Sequence, residues 1–107
     1  AAILTKKLTE LQAERIIIYG MGVVGEWLKK LLICQGVNVV CGIDRNCKNI
    51  HSDIPVIAIT DYIPDADLII VSAYGEYHEI YKLIRKNVDI PVISITEIVC
   101  LEGKNNE

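Results

Sequence analysis

Ile16-Ile17-Ile18-Tyr19-Gly20-Met21-Gly22-Val23-Val24-Gly25 runs an apolar stretch straight into the spacing Gly-x-Gly-x-x-Gly. The first part reads as a buried strand. The residues after it suit a helix, and a second apolar run from Val37 to Ile43 ends on Asp44. That order is what a dinucleotide-binding βαβ unit requires. Gly20 allows the tight turn off the strand, Gly22 leaves room for a pyrophosphate, and Gly25 lets the helix pack closely on the sheet. The backbone of Met21, Val23 and Val24 completes the loop, and the helix N-terminus offers unpaired N–H groups and a positive dipole end to phosphates. Asp44 lies 19 residues beyond Gly25, close to the spacing of roughly 20 for a carboxylate that holds the ribose hydroxyls.

Outward from this stretch, the elements alternate. A lead-in helix is expected over 3–13, with Leu4, Leu8 and Leu11 on one face. Strand one is placed over 15–19, and a helix over 23–35 with a buried stripe of Val24, Trp27, Leu28, Leu31 and Leu32, stopped by Gly36. Strands follow over 38–43, 56–59 and 66–72, the third beginning just after Pro55. A second helix over 76–87 aligns Tyr77, Ile80, Tyr81, Ile84 and Val88. A fifth strand over 91–95, a terminal turn over 97–101 and a disordered tail over 102–107 complete the chain. The link between strands two and three is too short for a full helix. Short Ile/Val runs without alternation mark strands covered on both faces. The fold class is therefore α/β: a doubly wound, Rossmann-like parallel sheet of about five strands in the order 3-2-1-4-5, behind an N-terminal helix.

At 107 residues the chain makes one domain, here placed at 15–101, with no room for a separate catalytic domain. No apolar run approaches the roughly 18 residues of a membrane span, and no signal or transit peptide is recognisable. A net charge of −3 with mixed signs gives no basic surface for nucleic acid. Cys34, Cys41, Cys47 and Cys100 form no C-x-x-C pair, so they read as reduced thiols in a cytoplasmic protein.

Several segments together carry a resemblance: 18–25 with Trp27 to Leu32, then Val39 to Asp44, Ile54-Pro55-Val56-Ile57, and Ala66 to Ala73. The series resembles the N-terminal nucleotide-binding domain of bacterial polysaccharide-biosynthesis proteins, which include the nucleoside-diphosphate-sugar epimerase/dehydratase group and the sugar O-acyltransferases. It covers roughly residues 14–100. Arg45 stands where that pattern has an acidic or small polar residue, and Ala58 where a glycine is common. The catalytic Tyr/Lys pair and the acyl-transfer domain lie outside the resemblance. It thus implies a nucleotide-binding module within a larger sugar-modifying protein.

Site residues follow from these readings. Gly20, Met21, Gly22, Val23, Val24 and Gly25 would cradle the phosphates, and Asp44 would hold the ribose, with capping of the next loop as its alternative. Arg45 could meet a 2′-phosphate, but the Asp44 carboxylate would repel one, so NAD is favoured over NADP. Ser72, Ala73, Tyr74 and Gly75 sit at the end of strand four, at the topological switch point where ligands bind. His78 and His51 read as ordinary surface residues. No catalytic triad, carboxylate pair, Tyr-x-x-x-Lys or metal set is present, so no residue is assigned a catalytic or metal role. Two rival readings stand beside NAD binding. One is a UDP-sugar site, as the acyltransferase likeness implies. The other is a nucleotide-sensing regulatory module like those of potassium transport, although their Gly-Asp pair is replaced by Asp61-Tyr62-Ile63-Pro64-Asp65. The leucine stripe of the lead-in helix calls for a homodimer or a contact with another domain of a parent protein.

Overall fold

The structure, a computed structural model, describes residues 2–73 and 75–97. Tyr74, Cys100, the tail over 102–107 and all but the first residue of the expected terminal turn lie outside the described residues. The elements are α1 (Ala2–Glu10), β1 (Arg15–Tyr19), α2 (Val23–Cys34), β2 (Asn38–Ile43), a 3-10 turn at Cys47–Asn49, β3 (Val56–Ile57), β4 (Leu68–Val71), α3 (Tyr77–Asn87) and β5 (Val92–Ser94). The five strands form one parallel sheet in the order β3-β2-β1-β4-β5. This is the doubly wound architecture expected from the apolar runs.

The core divides at the sheet. On one face α1 and α2 close over Ile16, Ile18, Leu68 and Ile70. On the other, α3 and the connection over 58–67 close over Ile17, Cys41, Ile43, Ile69 and Val71. A bulge decides which β2 residues face where. Ile16 pairs with Val39 but Ile17 with Cys41, so Val40 is the extra residue. Strict alternation would put Val39, Cys41 and Ile43 on one face. The bulge instead turns Val39 towards α2, while Cys41 and Ile43 face α3. Burial pushes the Cys41 thiol up to about 11, so it behaves as a small hydrophobe. Cys34, Cys41 and Cys47 are all free.

Two packing expectations are corrected. The buried arc of α2 runs through Gly25, Leu28, Lys29 and Leu32, whereas Trp27 is half exposed. The rotation is set by Gly25, whose backbone lies so close to the Gly20 carbonyl that this arc must face the sheet. Trp27 then falls roughly 100° round the helix from Leu28. On α3, Ile84 is fully buried but Tyr81 lies at the surface, its ring centroid 6.0 Å from that of Tyr77. Of the α1 leucine stripe, Leu8 is buried in the core beside Ile16 and Leu28, and Leu11 is exposed. Leu8 therefore needs no second chain to cover it. No helix among the described residues is long and apolar enough to cross a membrane.

Candidate functional site

The carboxyl ends of β1, β2 and β4 converge on the glycine loop, and three bonds hold its shape. Gly20 N–H donates to the Ile43 carbonyl (2.7 Å), the Ser72 hydroxyl donates to the Gly20 carbonyl (2.6 Å), and Met21 N–H donates to Asp44 Oδ2 (2.8 Å). Gly20 has φ +95°, a conformation that disfavours side chains. The expected residues take different parts in this arrangement. Ser72 is buried and its hydroxyl is committed to the loop, which makes it a strut. Met21 sends its side chain into the core, into space that Gly42 leaves for it. Val24 packs against the same core, whereas Val23 is exposed in the first turn of α2.

The three motif glycines separate cleanly. A Cβ on Gly20 would stand 2.6 Å from Ser72 Oγ, and one on Gly25 would stand 1.9 Å from the Gly20 carbonyl oxygen. Both are therefore demanded by the protein's own packing. A Cβ on Gly22 would meet nothing within 4 Å. Gly22 is the N-cap of α2 with no side-chain cap on the helix. The first-turn N–H groups, at Val23, Val24 and Gly25, precede the first intrahelical bond, Glu26 N–H to the Gly22 carbonyl (2.9 Å). Three donors, a positive dipole end and open space thus meet at one point.

Asp44 does two things. Besides Met21 N–H, it accepts Asn46 N–H on Oδ1 at 2.8 Å, capping the turn that follows β2. A carboxylate has about four lone-pair positions, so these bonds leave capacity for a hydroxyl donor. Arg45 is exposed and has no ion pair or hydrogen bond with the described residues.

Beside the loop lies a cleft of about 480 Å³. Its floor includes Tyr19 and Ala73, one wall is Ile80 and Leu83 of α3, and its charges are Asp44, Arg45, Glu76 and Glu79. Burial raises the Tyr19 phenol above its ordinary pKa; Arg45 opposes this, and the carboxylates of Asp44 and Glu76 add to it. A second hollow, about 560 Å³, lies at the amino ends of the strands among Leu8, Ala13, Arg15 and Val37. There Arg15 is already engaged by Asp65 (3.0 Å) and Asp67 (3.1 Å).

The sequence reading did not single out Tyr19, Glu76, Glu79, Ile80 or Leu83 as site residues. The last four fall at i, i+3, i+4 and i+7 across the start of α3, a spacing that marks one helix face, and Tyr19 is the last residue of β1. Lys29 was also missed. It is buried in the α2 arc, where Nζ bonds Glu26 (2.5 Å) and Asp53, tying the 52–54 segment to the helix and raising the ammonium's pKa through those bonds. His51 and His78 are exposed, and no group of His, Cys, Asp or Glu among the described residues could hold a metal.

Comparison of the chain with protein-family models, curated proteins and solved structures returns no match.

Proposed function

We propose that this chain is a nucleotide-binding domain whose glycine loop receives a pyrophosphate, with NAD as the preferred ligand. In this reading it is a non-catalytic part of a sugar-nucleotide or polysaccharide-biosynthesis protein of the reducing cytoplasm, as the resemblance along residues 14–100 implies. The observation that carries the proposal is Gly22. Gly20 and Gly25 would be needed in a shell that had lost its ligand, but Gly22 would not, because nothing in the protein occupies the space a side chain would fill. Bare backbone beside the free donors of a helix N-terminus is what close approach by a phosphate requires. Asp44 and the adjoining cleft then lie where the ribose and base of such a ligand would follow.

Gly22→Asp tests this. An N-cap aspartate satisfies a first-turn amide and complements the dipole, so the variant should be as stable as the unmodified chain or more so, by about 0.5–1 kcal/mol. Its carboxylate would occupy and repel the phosphate position. Isothermal titration with NADH should show binding by the unmodified chain and at least a tenfold loss in the variant. Equal binding by both, or none by the unmodified chain at millimolar NADH, rejects the proposal.

A further inference from the structure

Among the described residues, Lys29 is the only charged side chain that the core encloses (2% exposed). Its ammonium donates to Glu26 Oε1 (2.5 Å) on α2 and to Asp53 on the connection between β2 and β3. The other Glu26 oxygen accepts the Ser52 hydroxyl (3.4 Å). The bond between them raises the Lys29 ammonium and lowers the Asp53 carboxyl from their ordinary values, so the pair is charged at neutral pH. Stability does not account for this arrangement. Apolar residues in place of a buried ion pair are often neutral or stabilising, and Leu28 and Leu32 are what the arc holds elsewhere. What an ammonium adds to packing is direction, because its donors fix where the carboxylates stand.

The two pieces of chain it joins are the two halves of the proposed site. Glu26 belongs to the first turn of α2, whose N–H groups at Val23, Val24 and Gly25 would meet the pyrophosphate. Ser52 and Asp53 close a strap over 45–53 that leaves β2 at Asp44, the ribose carboxylate, and passes through the 3-10 turn at Cys47–Asn49. Asn46 N–H donates to Asp44 Oδ1 (2.8 Å), Asn49 Nδ2 donates to Asn46 Oδ1 (2.7 Å), and Ile50 packs on the core that α2 covers. Asp44 Oδ2 is already fixed by Met21 N–H. The strap therefore governs Oδ1, and through it the rotation of the carboxylate. We infer that Lys29 is a positioning residue: by latching the strap to α2 it holds Asp44 in the orientation that lets one ligand meet the carboxylate and the phosphate donors together. The inference rests on the nucleotide reading above.

The test compares NADH binding by the full chain and two variants, at a temperature where circular dichroism shows them folded. Lys29→Met keeps an apolar stem of similar length and removes the latch. Asp53→Ala, at a side chain 76% exposed, frees the strap but leaves the ammonium paired with Glu26, so it decides the matter if Lys29→Met fails to fold. By calorimetry each should weaken NADH about three- to tenfold, the cost of a site no longer held in its binding geometry. Amide exchange should quicken over 45–53 while α2 keeps its protection. In an Asp44→Ala background the same substitutions should change NADH affinity by less than about twofold, because the group they position is gone. A merely structural residue would weaken both backgrounds alike. Unchanged NADH affinity in either folded variant, or an equal loss with and without Asp44, overturns the positioning role and leaves the nucleotide reading intact. No NADH binding by the unmodified chain at millimolar concentration overturns both.

Discussion

Gly25→Ala is the sharpest test of how α2 meets the sheet. The added methyl carbon would lie 1.9 Å from the Gly20 carbonyl oxygen and 2.9 Å from the Gly20 carbonyl carbon. An ordinary carbon–oxygen contact is about 3.3 Å, so one backbone must withdraw from the other by more than an ångström. Both obstacles are main-chain atoms, and no rotamer change relieves them. Gly20 cannot yield alone, because its N–H is bonded to Ile43 and its carbonyl to Ser72. The helix must therefore lift, pulling the fully buried Leu28 and Leu32 from the core. Overpacking of this kind costs about 1–3 kcal/mol and sometimes more. Alanine's better helix propensity returns up to about 1 kcal/mol. Partial withdrawal of two leucines adds a further 1–2 kcal/mol or so, at roughly 25 cal/mol per Å² of apolar surface. The net loss should be about 2–4 kcal/mol, or roughly 10–25 °C in Tm for a domain of this size. Urea and thermal denaturation followed by circular dichroism would measure it, with Gly22→Ala as the control. That control meets no atom within 4 Å and should lose at most about 1 kcal/mol, the effect of a poorer N-cap. A Gly25→Ala variant within 0.5 kcal/mol or so of the unmodified chain would refute the packing account of that glycine.

Other changes follow from single contacts. Asp44→Ala removes the acceptor for Met21 N–H and Asn46 N–H. It should cost about 1–3 kcal/mol in urea denaturation and weaken NADH roughly tenfold; lost stability with unchanged affinity would assign the carboxylate to the loop alone. Leu8→Gln sets an amide into the core beside Ile16 and Leu28 and should destabilise by about 2–4 kcal/mol. Light scattering on the same samples tests association: if the mass falls from dimer to monomer while stability holds, Leu8 belongs to an interface after all. Asp67 is held down to about 2 by the backbone N–H groups of Glu14 and Arg15 and then by the Arg15 guanidinium. Its contribution is present in full above the ordinary aspartate pKa near 4 and fades as pH falls towards 2. Tm measured against pH across that window should fall less steeply in Asp67→Asn than in the unmodified chain, and parallel curves would contradict the assignment.

The sheet was readable in the sequence because both-face burial writes itself as short apolar runs without alternation, and β1 and β2 take the bounds expected from them, 15–19 and 38–43. Helix periodicity was a weaker guide. On α2, Trp27 and Lys29 flank Leu28, and hydrophobicity alone selects the tryptophan for the interior. The structure buries the lysine, because Gly25 fixes the rotation and Asp53 arrives from a distant loop to pair the ammonium. Neither fact is local. At the site, the glycine spacing marked the loop, but nothing in it distinguished the two packing glycines from Gly22. That distinction needed Ser72 and Gly20 in three dimensions. Glu76 and Glu79 were hidden for a simpler reason: exposed acids in the first turn of a helix are ordinary, and only the strand order brings them opposite Asp44 and Arg45.

The cleft also has an origin in the connections. In a fully wound sheet, the crossover from β3 to β4 would carry a helix over the face that α3 shares. Here that crossover is the short stretch over 58–67, which has no helix and packs Ile59 and Ile63 against the sheet. Asp61 accepts Ala58 N–H (2.9 Å) at its start, and Asp67 anchors its far end to Glu14 and Arg15. So thin a cover adds no residue to the cleft, whose lining comes from strand ends and α3. With no crossover helix beside it, α3 leaves Leu83 at the surface (40% exposed) and Tyr19 lining the cleft. A shortened connection that merely economised on chain would be expected to leave an apolar scar. This one leaves an opening beside the glycine loop, rimmed by the carboxylates of Asp44, Glu76 and Glu79 and lined by Tyr19, whose hydroxyl is hydrogen-bonded to no described residue.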